Sequence, residues 1–458
     1  MKPHLHFMGI GGIGMSGLAR WYALDGYRIS GCDAVDTPLL MELRQAGLQV
    51  HVGHNPDHLE DASVFVSSMA VPDHHPEILT ARSRGLRMMK RIELLADLCR
   101  KRKAVAVTGT HGKSTTTGMI ASIFLGLGQD PSVQLGANLP LLPGNYRYGG
   151  GEHVIAEVDE SDPGFAQLES ELAIITNLED DHIAGNFEER RNYHASFADL
   201  QRATREFSQR TKQLLICADW RELGTLLGDL GNTLSYGFDP SSDYYIDKLE
   251  LAETGCRFEL RTPNGSRHPI RLAIPGRHNA QNATAALAAA DLAGLPLEAA
   301  ARQLGRFSGV GRRWQVWSSK AGTLIIDDYA HHPTEVAATL TAAHDTGRRV
   351  RAVLQPHRWI RTALHWEALA DAASLADEVL VLDIYSAGEE AIAGIGPDLI
   401  AHRLQKGGTS ASCHDLASAS DYLLRTLVEG DLVITLGAGD VWKVAESITR
   451  HLEERHAG

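Results

Sequence analysis

The stretch KAVAVTGTHGKSTTT, residues 103–117, places an apolar strand, a glycine-rich turn and the start of a helix in direct succession. Apolar residues recur at helical spacing from Ile120 to Leu127, which indicates that the helix continues. Backbone N–H groups of such a turn cradle phosphates, Lys113 reaches the terminal phosphates, and the hydroxyl that follows binds Mg²⁺. The general pattern has a further glycine at the position of Val107. We predict a nucleoside triphosphate site here, the alternative being a glycine-rich turn with an exposed lysine.

Two more glycine-rich turns follow apolar, strand-like runs, near residues 9 and 437. Strands alternate with helices around all three turns, and this alternation is typical of doubly wound α/β domains. Pro263-Asn264-Gly265 lies between two alternating runs and predicts a hairpin that adds an antiparallel patch to the central sheet. We therefore predict an α/β chain with a Rossmann-like N-terminal domain, a central P-loop ATPase-like domain with a mixed sheet, and a Rossmann-like C-terminal domain: 1–103, 104–307 and 308–458.

Composition is that of a globular protein, with 43% hydrophobic and 22% charged residues among 458. Lys and Arg number 44 against 57 Asp and Glu, a formal charge of −13 that disfavours nucleic acid or an anionic membrane as partner. The five cysteines form no C-x-x-C pair, which argues against a disulfide framework and a structural zinc site. Neither an export signal nor a membrane-spanning apolar run is visible, so we expect a cytoplasmic protein.

The first glycine-rich turn carries Gly9, Gly11 and Gly14 in the spacing of a dinucleotide-binding fingerprint, and Asp33 ends the next predicted strand. Glycine is needed there because a side chain would keep the backbone away from a phosphate at the positive end of the helix. Taken alone, the motif is compatible with an NAD-dependent enzyme. It is also compatible with another nucleotide, or with a tight turn that packs against its helix.

Acidic and amide side chains follow the strands after the central turn. The run VIAEVDESD ends a strand with Glu157, Asp159, Glu160 and Asp162, and oxygen ligands beside a phosphate turn favour Mg²⁺. His182 follows the next strand and is a candidate to complete a metal site. Further on, the helix start RHNAQN carries Asn279 and Asn282. These two lie on one face and are candidates to read a base edge, although Asn279 alone would also serve as an N-cap.

The last segment places polar side chains after strands, where open α/β sheets bind ligands. Arg358 and Arg361 are three residues apart and are predicted to clamp a carboxylate. His331 and His332 precede them along the chain and are also candidates for ligand binding; the alternative is that they only pack behind the site. The full set comprises Arg312, Arg313, Asp327, Asp328, Tyr329, His331, His332, His357, Arg358 and Arg361.

The chain resembles the Mur ligase family in nine motifs that run along nearly its whole length. These motifs are HFMGIGGIGMSGLA, VTGTHGKSTTT, AEVDESD, TNLEDDH, PGRHNAQNA, DDYAHHPTE, QPHRWIRT, DIYSAGEE and LGAGD. The short phosphate turn, which departs from the general pattern, agrees with the pattern of this family. The resemblance implies an ATP- and Mg²⁺-dependent ligase that joins L-alanine to the lactyl carboxylate of UDP-N-acetylmuramate through an acyl phosphate, in peptidoglycan precursor synthesis.

The resemblance also implies roles for individual residues. The UDP-sugar is expected at Gly9, Gly11, Gly12, Gly14, Asp33 and Ser68. ATP is expected at Gly109, Thr110, His111, Gly112, Lys113, Ser114, Thr115, Asn279, Asn282, Arg313 and Asp328. L-alanine is expected at Tyr329, His331, Arg358 and Arg361, and metal at Ser114, Glu157 and His182. The expected catalytic residues are Lys113, Glu157, His182 and His331.

Other functions explain fewer of these motifs. The family member that attaches a tripeptide to the same sugar usually has a cysteine in its first glycine loop, which is absent from GIGGIGMSG. An NAD-dependent oxidoreductase would leave the turn at Lys113 without a purpose. The resemblance implies no nucleic-acid partner and no membrane insertion, and the oligomeric state is expected to be a monomer or a homodimer.

Overall fold

The protein contains three β-sheets. Its computed structural model describes residues 2–67, 71, 74–183, 193–318 and 322–457. Sheets of five, ten and six strands follow one another along the chain, and the predicted three-domain α/β architecture is confirmed. The described residues form two compact units by their internal contacts. They are Met1–Asp247 with Leu260–His268 and Gln281–Leu304, and Lys248–Glu259 with Pro269–Ala280 and Gly305–Gly458. The predicted domain boundaries remain predictions.

The first sheet is parallel, with the strand order β3-β2-β1-β4-β5 of a Rossmann half. Its strands are β1 (His4–Met8), β2 (Arg28–Asp33), β3 (Gln49–Val52), β4 (Val64–Ser67) and β5 (Arg87–Lys90). Its helices are α1 (Ile13–Leu24), α2 (Pro38–Gln45), α3 (Pro76–Ser83) and α4 (Arg91–Arg100). The apolar strands are buried on both faces, as expected for a parallel sheet covered by helices.

The second sheet has ten strands. They are β6 (Lys103–Thr108), β7 (Ser132–Leu139), β8 (Gly144–Arg147), β9 (His153–Glu157), β10 (Ser170–Ile175), β11 (Thr211–Cys217), β12 (Thr233–Gly237), β13 (Tyr244–Ala252), β14 (Gly255–Arg261) and β15 (Arg267–Leu272). Their order is β15-β14-β13-β12-β11-β10-β6-β9-β7-β8. Its helices are α5 (Lys113–Gly126), α6 (Phe197–Gln209), α7 (Arg221–Leu227), α8 (Arg277–Leu292) and α9 (Leu297–Leu304).

The predicted mixed character of this sheet is confirmed, because β8 runs antiparallel to β7 whereas β6 is parallel to both of its neighbours. The predicted hairpin is also present: β14 and β15 are neighbours joined by a turn in which Gly265 has φ +83°. Strand β6 lies between β9 and β10, with Val107 opposite Glu157 and Thr108 opposite Ile175. The ends of these three strands therefore meet at the glycine-rich turn.

The third sheet has the order β16-β17-β21-β18-β19-β20, parallel except for the edge strand β16. Its strands are β16 (Gln315–Ser318), β17 (Leu324–Asp328), β18 (Arg349–Leu354), β19 (Glu378–Leu382), β20 (Ser410–His414) and β21 (Asp431–Leu436). Its helices are α10 (Pro333–His344), α11 (Trp359–Ala373), α12 (Pro397–Lys406), α13 (Leu416–Thr426) and α14 (Trp442–Ala457). Among the described residues, no helix is long and apolar enough to cross a bilayer. A cytoplasmic location remains a prediction.

Candidate functional site

The turn at residues 109–112 joins β6 to α5 and has two positions that require glycine. Gly109 and Gly112 have φ of +123° and +82°, which side-chain-bearing residues rarely adopt. A Cβ on Gly109 would lie 2.3 Å from Oγ1 of Thr176, and one on Gly112 would lie 2.8 Å from Oδ1 of Asn282. The backbone of the turn is therefore packed directly against its neighbours.

The end of β10 holds this turn by side-chain hydrogen bonds. Asn177 accepts a hydrogen bond from the backbone N–H of His111 at 2.7 Å and donates one to its carbonyl at 3.0 Å. Glu179 donates its backbone N–H to Oγ1 of Thr110 at 2.8 Å, and its carboxylate lies 3.2 Å from Nε2 of His111. Asn282 accepts from the hydroxyl of Thr116 at 3.2 Å. The turn is thus held in shape from two sides, as a preorganised anion site requires.

Lys113 begins α5, and its ammonium group is folded back over the turn. Its Nζ donates to the carbonyls of Gly109 at 2.5 Å and Thr110 at 3.0 Å, and lies 2.7 Å from Oε2 of Glu160. Burial by itself would lower the pKa of Lys113, but the carboxylates of Glu160, Asp159 and Glu157 outweigh it and raise that pKa. Lys113 is therefore a cation at neutral pH.

Ser114 and Glu157 lie side by side, although they are far apart in sequence. The hydroxyl of Ser114 donates to Oε1 of Glu157 at 3.1 Å, and the backbone N–H of Gly136 donates to Oε2 at 2.7 Å. A Cβ on Gly136 would lie 2.5 Å from that carboxylate. A hydroxyl and a carboxylate next to a phosphate turn are the hard oxygen donors that Mg²⁺ prefers.

The other acidic residues of this run have separate partners. Asp159 lies 3.3 Å from the guanidinium of Arg91, and Asp162 caps a short 3₁₀ helix by accepting from the N–H of Gly164. Burial raises the pKa of Asp162. His182 ends a second 3₁₀ helix, Asp180–His182, and its side chain lies outside the described part of the chain, so the metal role predicted for it remains a prediction.

The first glycine-rich turn joins β1 to α1. Gly11 donates its N–H to Oδ2 of Asp33 at 2.8 Å, and a Cβ on Gly11 would lie 2.5 Å from Leu40 and 2.8 Å from Asp33. Gly12 is the N-cap of α1 and has no side-chain cap. The first N–H groups of a helix have no intrahelical acceptor, so the start of α1 can receive an anion. Gly14 lies in the first turn of α1, and Ser68 lies outside the described residues.

The helix that carries both predicted asparagines begins at Arg277, so Asn279 is not its N-cap and that alternative is wrong. Asn279 donates to the carbonyl of Pro275 at 2.6 Å. Asn282 lies against Gly112 and Thr116, so it contacts the glycine-rich turn at residues 109–112 and the helix that follows it. Ser114 and Thr115 are buried in the first turn of α5.

At the end of β17, Asp328 accepts hydrogen bonds from the backbone N–H groups of Trp314 at 2.7 Å and Ala330 at 2.9 Å. Burial raises the pKa of Asp328 to about 6. Arg313 stacks over the ring of Tyr329 at 4.6 Å and lies 3.8 Å from the carboxylate of Glu335. Asp328 therefore links the residue before β16 to the residues after β17, next to Tyr329.

His357, after β18, lies beside two of the residues predicted for L-alanine, His331 and Arg361. The ring of His331 is 5.6 Å from that of His357, whose Nδ1 is 3.4 Å from a guanidinium nitrogen of Arg361. Burial and the neighbouring cations lower the pKa of His357 to about 3, so this ring is neutral at pH 7. Arg361 is buried, so its charge lies in a partly desolvated environment.

Arg358 has a partner that the predicted clamp did not include. Its Nε donates to Oε1 of Glu389 at 2.6 Å, and the other oxygen of Glu389 accepts from the N–H of Ile360 at 3.0 Å. Arg358 has φ +68° and is the N-cap of α11, which begins at Trp359. Glu389 belongs to the motif DIYSAGEE, whose role could not be predicted from its spacing.

Arg312 connects β17 to the closing glycine-rich turn. Its Nε lies 2.9 Å from Oδ2 of the buried Asp327, and its terminal nitrogens donate to the carbonyls of Gly437 at 2.7 Å and Gly439 at 2.9 Å. Gly437 has φ +151°, and a Cβ there would lie 2.8 Å from the carbonyl of Gln355. The turn after β21 is thus held in place by Arg312, whose guanidinium is paired with the buried Asp327.

Family models match almost the whole chain. Residues 4–103 match the model described as "Mur ligase family, catalytic domain", 107–290 match "Mur ligase middle domain", and 312–439 match "Mur ligase, glutamate ligase domain". The chain belongs to the Mur ligase family. The glycine fingerprint at residues 9–14 is therefore part of a Mur ligase domain and does not indicate an oxidoreductase.

Similar proteins span this Mur ligase from end to end. A UDP-N-acetylmuramate–L-alanine ligase of Deinococcus radiodurans is 42% identical and covers 97% of this chain and 93% of its own. The crystal structure of the UDP-N-acetylmuramate–alanine ligase of Thermotoga maritima superposes with a TM-score of 0.83, at 28% identity, over 99% and 100% of the two chains. A murein peptide ligase of Psychrobacter arcticus shares the fold, with a TM-score of 0.70 at 23% identity and 98% coverage of both chains.

Within this Mur ligase, the structure brings together several residues that the sequence predicted as one site. Lys113, Ser114, Glu157 and Asn282 surround the phosphate turn. The roles predicted for Arg313 and Asp328 toward ATP remain predictions. Sequence reasoning missed the positioning contacts of Asn177, Glu179, Gly136 and Glu389, since each depends on which strands are neighbours.

Proposed function

We propose that this Mur ligase joins L-alanine to the lactyl carboxylate of UDP-N-acetylmuramate, with conversion of ATP to ADP and phosphate, in peptidoglycan precursor synthesis. The observation that carries the proposal is the similarity, over nearly the whole chain, to proteins named UDP-N-acetylmuramate–L-alanine ligase, two of which are 42% and 38% identical to it. The site geometry supports it, because a buried lysine and a hydroxyl–carboxylate pair lie beside a phosphate-binding turn.

In the first step, a lactyl carboxylate oxygen attacks the γ-phosphorus of ATP. The bond between that phosphorus and the β–γ bridging oxygen breaks, ADP leaves, and an acyl phosphate forms. Negative charge on the transferring phosphoryl group must be neutralised throughout. Lys113 and the positive N-terminal end of α5 supply fixed positive charge for this purpose.

In the second step, the amine of L-alanine attacks the carbonyl carbon of the acyl phosphate and forms a tetrahedral intermediate. The bond from carbon to the phosphate oxygen then breaks, phosphate leaves with the electron pair, and the nitrogen loses one proton as the amide forms. His182 and His331 are the two candidates to accept that proton. Nδ1 of His331 donates a hydrogen bond to the carbonyl of Tyr329 at 2.9 Å, which fixes the ring.

Mg²⁺ would neutralise charge on the phosphate oxygens when bound. Ser114 and Glu157 fit such an ion, because their oxygens lie 3.1 Å apart beside the phosphate turn and Gly136 fixes the carboxylate. The family resemblance adds His182 as a ligand of a second ion together with Glu157.

The remaining subsites belong to the first and the third sheet. The capless start of α1, with Gly9, Gly11, Gly12 and Gly14, would receive the diphosphate of the sugar nucleotide. In the third sheet, Tyr329, His331, Arg358 and Arg361 would form the L-alanine subsite. Arg361, whose guanidinium is buried, would be a cation for the amino-acid carboxylate.

Phosphate release with one substrate omitted at a time tests this function. We expect release from ATP only when UDP-N-acetylmuramate and an amino acid are both present, with alanine the best substrate in a panel that includes serine, glycine and the stem tripeptide. Preference for the tripeptide would assign the chain to the recycling branch of the family. ATP turnover that is independent of the sugar would contradict a ligase of this kind.

A further inference from the structure

Four potential metal ligands lie close together in the first α/β unit, and none of them is assigned to the ligase reaction. His6 lies on β1, Cys32 on β2, His54 after β3 and Glu77 in the first turn of α3. The side chains of His6, Cys32 and Glu77 are fully buried. The four residues come from four separate segments, so a shared ligand would tie these segments together.

The distances within this cluster suit a small ion. Sγ of Cys32 lies 3.1 Å from Oε2 of Glu77 and 3.2 Å from Nδ1 of His54, and the latter two atoms are 3.5 Å apart. Ligand atoms of His6, Cys32 and Glu77 all lie within 4.8 Å of one another. Tetrahedral Zn²⁺, with bonds of about 2.0–2.3 Å, spaces its ligands about 3.3–3.8 Å apart. Three donors thus already lie close to one face of such a tetrahedron.

Two further observations point to a missing ligand. Nδ1 of His6 is hydrogen-bonded to the hydroxyl of Ser30 at 2.9 Å, whereas its buried Nε2 has no hydrogen-bond partner within the described residues. A metal-bound imidazole shows this arrangement, with one nitrogen on the metal and the other held by a hydrogen bond. Nδ1 of the adjacent His58 is likewise buried without a hydrogen bond in that part of the chain, 3.5 Å from Oε1 of Glu77. Buried polar atoms without partners are costly.

We propose that His6, Cys32, His54 and Glu77 form a structural site for Zn²⁺ or a chemically similar divalent transition-metal ion. Thiolate, imidazole and carboxylate together favour such an ion over Mg²⁺, which prefers oxygen alone. On binding, the Cys32 thiol gives up its proton to solvent and its sulfur bonds to the metal, without any change of oxidation state. His58 lies next to the site and stacks on His51 at 4.1 Å.

The site would brace the first glycine-rich turn. The backbone carbonyl of Cys32 accepts hydrogen bonds from the N–H groups of Gly9 at 2.8 Å and Ile10 at 3.1 Å. The next residue, Asp33, accepts from Gly11. A metal bound to Cys32 would therefore also fix the end of β2, to which this turn is hydrogen-bonded. The ligands are more than about twenty residues apart along the chain, so no C-x-x-C rule could predict them.

Titration with Co²⁺ tests the proposal. The full-length protein is stripped with a chelator and titrated with Co²⁺, whose thiolate complexes absorb in the near ultraviolet by charge transfer from sulfur. Any Co²⁺ at Ser114 and Glu157 meets oxygen donors and gives no such band. The variants are Cys32→Ser, Glu77→Gln and, as the matched control, Cys99→Ser, which alters another buried cysteine of the same compact unit.

We expect the wild type and Cys99→Ser to bind one Co²⁺ per chain with the sulfur band, and Zn²⁺ to displace it. Cys32→Ser should lose the band. Glu77→Gln keeps the thiol but should bind Co²⁺ more than about 100-fold more weakly, because removal of a metal ligand costs more affinity than removal of a residue that only contacts a ligand. If Cys32→Ser does not fold by circular dichroism, Glu77→Gln decides the question. Absence of the band from the wild type, or its persistence in Cys32→Ser, would overturn the proposal. Unchanged affinity in Glu77→Gln would do the same.

Discussion

Nζ of Lys113 lies 2.7 Å from Oε2 of Glu160, and both side chains are largely buried. The cation that the ligase chemistry needs at the phosphates is thus balanced by a carboxylate from the end of the neighbouring strand. Such a pair keeps the lysine charged and in place in the absence of nucleotide, because an unpaired charge would be costly there.

Replacement of the phosphate-turn lysine tests its chemical role. Lys113→Ala should lower phosphate release by about 10³-fold or more, because one preorganised charge is lost from the transition state. Binding of UDP-N-acetylmuramate, measured by calorimetry, should stay nearly unchanged. The control is Lys103→Ala, which removes an exposed lysine on the strand that leads into the same turn. Loss of sugar binding in Lys113→Ala would show that the domains are misassigned.

The ion pair itself predicts a coupled effect on stability. Glu160→Gln should reduce the free energy of unfolding by about 3 kcal/mol, since it leaves a buried ammonium without its partner. Addition of Lys113→Met to this variant should restore part of that loss, as urea unfolding in a double-mutant cycle would show. Glu152→Gln, which alters an exposed ion-pair partner, should leave stability unchanged. Strictly additive effects would mean that the two groups do not interact in solution.

The Ser114–Glu157 pair predicts a specific dependence on Mg²⁺. Glu157→Gln should raise the Mg²⁺ concentration for half-maximal rate by about tenfold or more, because a charged oxygen ligand is lost. Asp162→Asn is the matched control, since this carboxylate lies in the same acidic run but caps a 3₁₀ helix. A larger shift in the control than in Glu157→Gln would place the metal elsewhere.

Close packing around Gly11 predicts a specific defect in sugar-nucleotide binding. A methyl group there would lie 2.5 Å from Leu40 and 2.8 Å from Asp33, so Gly11→Ala should displace the turn. We expect KM for UDP-N-acetylmuramate to rise about tenfold or more while KM for ATP changes little. Gly224→Ala, at a position with no heavy atom within 4 Å, should leave both values unchanged. Equal changes in both KM values would indicate general unfolding.

The neutral state of His357 predicts part of the pH dependence of stability. Its pKa falls from 6.5 to about 3 on folding, because burial disfavours the charged ring. The unfolded chain therefore binds more protons between these values, and this contribution to stability is complete above pH 6.5 and is lost as the pH falls toward 3. His357→Gln should show a shallower loss of stability over that window in urea titrations. It should not abolish the loss, since burial also lowers the pKa of His6 and His278. A slope equal to that of the wild type would contradict a buried neutral His357.

Local patterns were sufficient to predict the three sheets, the hairpin at Gly265 and the glycine-rich turns, because each depends on residues close in sequence. The meeting of Ser114 with Glu157 was predictable from the rule that parallel strand ends share an edge. The pairing of Lys113 with Glu160 and of Arg358 with Glu389 was not, since it depends on strand order and side-chain direction. The positive φ of Arg358 at the N-cap of α11 was not predictable either, because nothing in its residue type indicates it.

Transfer of oxygen-18 tests the proposed reaction most directly. UDP-N-acetylmuramate labelled in both oxygens of the lactyl carboxylate is incubated with the enzyme, ATP, Mg²⁺ and L-alanine, and the released phosphate is analysed by mass spectrometry. An acyl phosphate route predicts phosphate that carries one labelled oxygen, together with ADP and a product that has gained one alanine residue and retains one labelled oxygen. Unlabelled phosphate, or label found in AMP, would contradict it.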